Sequence, residues 1–374
     1  MKLSGDFSSD GPGSLISAVT LPAVDRRVRS TASLAARITY LSTAANGRDR
    51  TTVSGTVVVP QGKPPEGGWR IIAYGHSTSG IQTECAPSLD PALSGAATEV
   101  MAMVRARYIV VVPDFEGLGV GGFTHPYLDP TVEGFNLIDS VRATKKLVPN
   151  TSQVWAALGV SQGGQAAWAA NELARTYGDA GKLVGVASLS PPADFEGLAD
   201  AAAAGTLTDE QRPAYQWLIV SLARRYADIN VDDYRSGYVR DNWDVLSQCS
   251  ASGAERRATT LQSVTADDLR PASPAAVDVL RDHLRAMSLP QSVTVAPMLV
   301  TYGGADQLVL PAWTQAALER GCEMGDVIDV RLRPGKSHGD VDVGAAFGWL
   351  TDRFNDRPVQ NTCSPSTEPA QDGQ

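Results

Sequence analysis

The chain has 374 residues, of which 43% are hydrophobic and 20% are charged. This length provides a hydrophobic core of normal size and favours one large domain with an insertion over two separate folds. The formal net charge of −9 is spread along the chain without an acidic or basic block, which argues against a nucleic-acid partner. No apolar run in the sequence is long enough to span a bilayer.

The first half of the chain predicts two antiparallel strands and then strands that alternate with helices. Two β-rich runs, 34–41 and 51–59, flank Asn46 and Gly47, a pair typical of a tight hairpin turn. The elements predicted after them are a strand over 69–74, a helix over 94–107, a strand over 108–112, a helix over 132–147, a strand over 154–160 followed directly by a helix, and a strand over 183–189.

The region from residue 194 to residue 290 interrupts this alternation. It contains no convincing buried strand, and helices are predicted over 213–226 and 274–287. The first of these helices carries one apolar stripe, formed by Tyr215, Leu218, Ile219, Leu222 and Tyr226. We interpret the region as a mainly helical cap inserted between strands of the core.

The alternation resumes after the cap. The predicted elements are a strand over 297–302, a helix over 311–324, a strand over 327–332 and a helix over 341–354. Apolar strands that alternate with helices predict a mainly parallel sheet covered by helices on both faces. Ligands of such sheets bind at the carboxyl ends of the strands.

The Gly-Val-Ser-Gln-Gly sequence at residues 159–163 is the motif with the clearest chemical meaning. It lies between an apolar strand and a helix rich in small residues, which is the context of a nucleophile elbow. Such a turn strains the serine backbone, and a side chain at Gly159 or Gly163 would clash where strand and helix nearly touch. We therefore predict an α/β-hydrolase fold with Ser161 as its nucleophile, at the positive end of the helix.

A serine nucleophile needs a base and a carboxylate that orients the base. His338 lies between the last predicted strand and the last predicted helix, where this architecture places its base, and Asp306 follows the strand over 297–302. Asp114 also ends a strand, but it precedes Ser161 in the chain, which is the wrong order for this fold. We predict Asp306 as the acid and His338 as the base.

The other three histidines have other expected roles. His76 ends a strand in the oxyanion-hole loop and is expected to be structural. His125 lies in a glycine-rich loop, where hydrogen bonding within the loop accounts for it. His283 lies in a cap helix among charged neighbours and is expected to have a solvated surface role.

The oxyanion hole is expected to use the backbone N–H of Gln162 and one N–H from either Ser77 or Thr78. No P-loop and no dinucleotide glycine fingerprint follows a predicted strand, so no cofactor is predicted. The histidines are scattered and no Cys-x-x-Cys pair occurs, so no metal site is predicted either. The spacing of the four cysteines (Cys85, Cys249, Cys322 and Cys363) leaves two disulfides and reduced buried thiols equally open.

The predicted organisation has five parts. In order they are an N-terminal extension (1–33), the first part of the α/β-hydrolase core (34–193), a helical cap or lid (194–290), the second part of the core (291–358) and a C-terminal tail (359–374), which is expected to be disordered apart from Cys363. Residues 1–13 lack the charged and apolar regions of a signal peptide, which predicts either a cytosolic protein or a leader that has been removed.

Five segments together resemble the secretory lipase family, α/β-hydrolases of fungi and actinobacteria that include the lipase A type from yeast. The segments are ECAPS (84–88), VVVPDFEGLG (110–119), GVSQGGQAAWAANELA (159–174), GGAD (303–306) and SHGD (337–340). The likeness covers roughly residues 12–363 and is weakest in the cap. It implies Ser161 as nucleophile, Asp306 as acid and His338 as base, whereas the turn at residues 76–78 departs from the His-Gly of many relatives.

The resemblance also implies the disulfides Cys85–Cys249 and Cys322–Cys363. A secreted protein without its leader then follows, since disulfides persist outside the cytosol. Family members hydrolyse carboxylic esters, often of lipids, under a helical cap. A small-molecule or lipid ester substrate is therefore implied, together with transient contact between the cap and a lipid surface.

We predict a serine carboxylic-ester hydrolase, a lipase or esterase, that forms an acyl-enzyme intermediate. One alternative keeps the triad but acts as an acyltransferase or as a specialised natural-product esterase. A second is a serine peptidase in which Asp228, Asp232 and Asp233 capture a peptide amine, and a third is a catalytically silent binding module. The sequence leaves the acyl-chain length and the oligomeric state open.

Overall fold

The computed structural model describes residues 1–122, 124–249 and 251–363, without the side chains of residues 251 and 252. The part of the predicted tail from residue 364 onward lies outside the described residues. Within these described ranges, nine strands form one sheet: β1 Leu15–Thr20, β2 Ala32–Thr43, β3 Arg50–Pro60, β4 Trp69–Gly75, β5 Ile109–Pro113, β6 Thr151–Val160, β7 Lys182–Leu189, β8 Met298–Gly303 and β9 Ile328–Arg333.

The described helices mostly follow the strands in alternation. They are α1 Arg26–Thr31, α2 Ala97–Arg105, α3 Pro130–Leu147, α4 Gln162–Tyr177, α5 Gly197–Ala204, α6 Gln211–Arg225, α7 Gly237–Asp241, α8 Trp243–Leu246, α9 Ala251–Leu261, α10 Pro274–Ala286, α11 Pro311–Met324 and α12 Val343–Phe354. None of the helices in the described part of the chain is long and apolar enough to cross a membrane.

The strands are arranged in the order β1-β2-β3-β5-β4-β6-β7-β8-β9. The pairs that link β1, β2, β3 and β5 are antiparallel. All pairs from β5 across β4 to β9 are parallel. This is the α/β-hydrolase fold that the sequence predicts, with the predicted hairpin of β2 and β3 near one edge.

The strand β1 and the helix α1 are the elements of the core that the sequence pattern did not indicate. Within β1 only Leu15 and Ala18 are buried, three positions apart. A register shift between Leu15 and Ser17 breaks the usual alternation with β2. Because a strand is recognised by its period of two, this irregular strand carried no readable signal.

Both faces of the sheet are covered by helices, as the apolar strands predict. Along β4, Ile71 and Ala73 pack in the same apolar cluster as Trp168 of α4. Ile72, between them, packs in the opposite cluster with Met103 of α2 and Trp349 of α12. Side chains alternate between the faces of a strand, so β4 is buried on both sides.

The chain between β7 and β8 is helical in its described part and contains α5 to α10. Its apolar side chains form a cluster of their own, in which Tyr215, Leu218 and Ile219 of α6 are fully buried. Tyr127 and Leu128 of the core belong to the same cluster, so the apolar face of α6 packs toward the loop that follows β5. The predicted stripe of α6 is therefore a packing face.

Candidate active site

The nucleophile elbow joins β6 to α4. Ser161 has φ 54° and ψ −120°, in the left-handed region that costs a non-glycine residue free energy. Close backbone contacts hold this conformation: a Cβ on Gly159 would overlap the carbonyl of Gly163, and a Cβ on Gly163 would overlap the carbonyl of Gly75. The short distance between strand and helix therefore requires glycine at both positions, because any side chain there would clash.

Three side chains from distant parts of the chain form a continuous hydrogen-bond series at the carboxyl end of the sheet. His338 Nε2 lies 2.8 Å from Ser161 Oγ, and His338 Nδ1 lies 2.8 Å from Asp306 Oδ2. A carboxylate can only accept, so the proton of a neutral His338 resides on Nδ1 and Nε2 is free to accept from the serine hydroxyl. The arrangement is suited to removing a proton from Ser161.

The carboxylate of Asp306 is fixed by the turn that follows β8. Its Oδ1 accepts from the backbone N–H groups of Leu308 and Val309, both at 2.9 Å. The side chain is almost fully buried, whereas His338 retains limited access to solvent. The other oxygen is therefore held toward His338 by the local backbone.

The rival acid, Asp114, has a different set of partners. It is fully buried, and its carboxylate accepts from Ser54 Oγ at 2.5 Å and from the N and Oγ of Ser88 at 2.8 and 2.6 Å. These bonds tie the end of β5 to β3 and to the loop after β4. Asp114 thus joins backbone segments and makes no contact with the Ser161–His338 pair among its described hydrogen bonds.

The residues proposed for the oxyanion hole lie beside the same serine. Gln162 is the first residue of α4, where backbone N–H groups lack acceptors within the helix. Ser77 and Thr78 line one chamber with Ser161 and His338. The Thr78 hydroxyl lies 3.1 Å from the hydroxyl of Tyr127.

A buried polar cluster, which no sequence pattern indicates, surrounds the side chain of Gln162. Gln162 Nε2 donates to Glu133 Oε1 at 2.6 Å and lies 3.0 Å from His125 Nε2. Burial raises the pKa of the Glu133 carboxyl well above its usual value. Burial also lowers the pKa of His125 to about 3, so the imidazole is neutral. His125 therefore contacts the elbow as well as its own loop.

The remaining histidines make contacts away from Ser161. His76 is buried against Phe115, with ring centroids 4.7 Å apart, and burial lowers its pKa. His283 lies 3.1 Å from Asp228 at the cap surface. The Asp342 side chain caps α12, whereas Asp340 accepts from Ser337 in the preceding turn.

Two cavities of different character meet at Ser161. The first is an open chamber of about 530 Å³, whose wall includes His338 and the charged residues Glu99, Glu210 and Arg257. The second is an apolar slot of about 30 Å³. The slot is lined by Tyr127, Leu128, Ser161, Pro192, Phe195, Leu198, Gln211, Ala214, Leu218, Leu308, Val309 and Trp313. The serine thus lies between a spacious open chamber with charged residues in its wall and a narrow apolar slot.

The four cysteines form the two pairs that the resemblance implies, Cys85–Cys249 and Cys322–Cys363. The first joins the loop after β4 to the cap after α8. The second joins α11 to the segment after α12. Each of the two disulfides is expected to contribute roughly 2–5 kcal/mol to stability. Among the described residues, no group of three or more His, Cys, Asp or Glu side chains could hold a metal ion.

Glu116, in the loop after β5, provides a pH-dependent stability prediction. Burial raises the pKa of its carboxyl from 4.5 to about 7; the charge of Arg225 opposes this shift and the charge of Asp129 adds to it, both to a smaller extent. The folded state therefore binds this proton more tightly than the unfolded state does. The associated stability is present at low pH and is lost as the pH rises from 4.5 to about 7.

We expect Glu116→Gln to match the parent protein at about pH 4 and to be more stable by about 1–3 kcal/mol at about pH 8. The neutral amide avoids the cost of a buried charge, and all other titrating groups are common to the two proteins. Urea unfolding at both pH values measures the difference. An equal difference at the two pH values would contradict the prediction.

The chain is similar to a known protein family in sequence and to solved lipase and esterase structures in fold. Residues 91–362 match the family described as secretory lipase. Among solved structures, Candida antarctica lipase A in its closed state has a TM-score of 0.78 and 16% identity, over 97% of this chain and 87% of that chain. The rice cell wall degrading esterase LipA from Xanthomonas oryzae has a TM-score of 0.66 and 20% identity, over 92% of this chain and 97% of that chain. No curated protein sequence matches the chain.

Proposed function

The chain belongs to the secretory lipase family, and from that premise we propose that this carboxylic ester hydrolase works through an acyl-enzyme formed on Ser161. The observation that carries the proposal is the hydrogen-bond series from Asp306 through His338 to Ser161, with both distances 2.8 Å. Each neighbour in the series has the donor or acceptor that its proposed role requires.

In the acylation step, Ser161 Oγ attacks the ester carbonyl carbon while His338 Nε2 takes the hydroxyl proton. The bond from carbon to the leaving alcohol oxygen then breaks, and the alcohol departs with the proton held by His338. Asp306 keeps the imidazole in the required tautomer and stabilises its charged form. In the second half, His338 takes a proton from water, the hydroxide oxygen attacks the acyl carbon, and Ser161 recovers its proton as the acid leaves.

The negative oxygen formed in each attack needs donors that are already in place. The Gln162 N–H at the start of α4 is the proposed first donor, and Ser77 or Thr78 supplies the second. Removal of one such donor typically costs about 3–4 kcal/mol of transition-state stabilisation. The N-terminal end of α4 favours the same negative charge.

The shapes of the two cavities suggest how a lipid ester substrate would lie. The apolar slot suits the acyl chain, and the open chamber, which has charged residues in its wall, suits the alcohol and the entering water. At about 30 Å³ the slot has room for only a few heavy atoms. We therefore propose that short acyl groups are preferred.

The experiment is hydrolysis of p-nitrophenyl esters from acetate to palmitate by the parent protein and by Ser161→Ala. We expect the rate to be highest for short chains and kcat to fall by roughly 10⁴-fold or more in Ser161→Ala. Ser140→Ala, which changes a buried serine of α3, is the matched control and should retain full activity. Parent-level turnover by Ser161→Ala would overturn the proposal, and a rate that rises toward palmitate would overturn the assignment of the acyl chain to the slot.

The peptidase alternative receives no support from the site. Asp232 pairs with Arg235 at 2.8 Å and Asp228 with His283 at 3.1 Å. Neither these aspartates nor Asp233 lines the described cavities at Ser161. The acyltransferase alternative uses the same triad, and product analysis with an added alcohol separates it from hydrolysis.

We also propose that the protein acts outside the cell. Two disulfides persist only in an oxidising environment in most organisms, and the family is a secretory one. The Cys85–Cys249 pair suits this setting, because it fixes the cap to the loop that carries Ser77 and Thr78.

A further inference from the structure

Residues 125–129, which we name the brace segment, connect the cap to both sides of the proposed oxyanion hole. The segment lies between β5 and α3 and is largely buried. It contacts the cap helix α6, the elbow residue Gln162 and the loop after β4.

The contact with the cap is made through one buried hydroxyl. Ser221 Oγ of α6 donates to the carbonyl oxygen of His125 at 2.7 Å and accepts from the N–H of Tyr127 at 2.9 Å. A second tie is the ion pair of Arg225 with Asp129 at 2.9 Å. The brace segment is thus held by two successive turns of the same helix.

The contact with the elbow is made through the ring of His125. Its Nδ1–H donates to the carbonyl oxygen of Glu116 at 2.8 Å, which leaves the lone pair of Nε2 facing Gln162 Nε2. The second amide hydrogen of Gln162 is taken by Glu133, whose Oε1 also accepts from Leu128 N at 3.1 Å. Each of the two amide hydrogens of the Gln162 side chain therefore has its own acceptor, His125 Nε2 or Glu133 Oε1.

The contact with the other side of the hole is the 3.1 Å approach of the Tyr127 hydroxyl to Thr78 Oγ1. Burying several polar groups at the elbow costs more free energy than apolar packing would. The cost is higher here because Gln162 Oε1 and Glu133 Oε2 have no hydrogen-bond partner. Packing alone would be served by apolar side chains. The polar cluster instead fixes the orientation of the Gln162 side chain, because hydrogen bonds are directional.

We propose that His125 is a positioning residue of the oxyanion hole and that Ser221 of α6 holds it in place. This inference rests on the proposed function. The location of the cap helix thereby determines the orientation of Gln162, whose backbone N–H is the proposed donor, and of Thr78.

The test compares Ser221→Ala with Ser247→Ala. Ser247 is also a buried cap serine with two hydrogen bonds, to Gln216 and Trp243, but none of its described hydrogen bonds reaches the brace segment. For Ser221→Ala we expect kcat on a short-chain p-nitrophenyl ester to fall about ten-fold with KM within two-fold. Inhibition by a short-chain trifluoromethyl ketone should weaken by the same factor, because its adduct places an oxyanion in the hole. Ser247→Ala should lose similar thermal stability and keep kcat and the inhibition constant.

If Ser221→Ala does not fold, Tyr127→Phe tests the contact of the brace segment with Thr78, because it removes only the hydroxyl that faces Thr78. We expect it to lower kcat and weaken the ketone by equal factors of about three to ten. Equal behaviour of the Ser221 and Ser247 variants, or unchanged ketone inhibition in Tyr127→Phe, would overturn the inference. Absence of turnover in the parent protein would instead contradict the proposed function.

Discussion

Asp306→Asn is expected to lower kcat by about 10³–10⁴-fold while KM and the folded structure are retained. The amide oxygen can keep the two backbone bonds from Leu308 and Val309 that the carboxylate oxygen now accepts. The amide nitrogen then faces His338 Nδ1 as a donor. The proton of the imidazole moves to Nε2, which can no longer accept the proton of Ser161.

The matched control for this variant is Asp326→Asn. Asp326 is also buried, and one of its oxygens accepts from the N and Oγ1 of Thr294, but it has no histidine among its described hydrogen-bond partners. Its activity should stay within about two-fold of the parent. Steady-state kinetics and urea unfolding of the two variants separate the tautomer effect from a loss of stability. If the two variants had equal kcat values, the assigned role of Asp306 would be wrong.

The periodic parts of the fold could be predicted from the sequence because each has a local signal. The stripe of α6 and the continuous apolar strands, such as β5, follow directly from residue spacing. The strand β1 could not be found in this way, because its two buried residues are three apart and its pairing with β2 contains a register shift. Its position depends on the hairpin against which it packs.

The candidate site shows the same division. Ser161, Asp306 and His338 each lie beside a turn signal in the chain, and the order of an α/β-hydrolase relates them. The contact of Gln162 with His125 and Glu133 has no such signal, since the three side chains come from α4, a loop and α3. Glu133 resembles an ordinary acidic residue in the first turn of a helix. Only the packing of α3 against α4 brings it to the elbow.

The contact between β4 and α4 leads to the second prediction with a large effect, for Gly163→Ala. A Cβ at this position would overlap the carbonyl group of Gly75 at the end of β4. Backbone atoms on both sides cannot yield as a flexible side chain can, so we expect a loss of more than about 3 kcal/mol in unfolding free energy. Any shift of α4 that relieves the overlap also moves Ser161 and Gln162 away from His338.

Activity should therefore fall by more than about 100-fold even in the molecules of Gly163→Ala that fold. Labelling by a fluorophosphonate counts the competent sites, and urea unfolding measures the stability. Gly348→Ala is the control: a Cβ there meets open space within α12, and alanine should stabilise this helix by up to about 1 kcal/mol. The two substitutions add the same methyl group, so the difference between them isolates the strand–helix contact. Parent-like labelling and stability in Gly163→Ala would mean that the elbow tolerates a wider separation than the structure has.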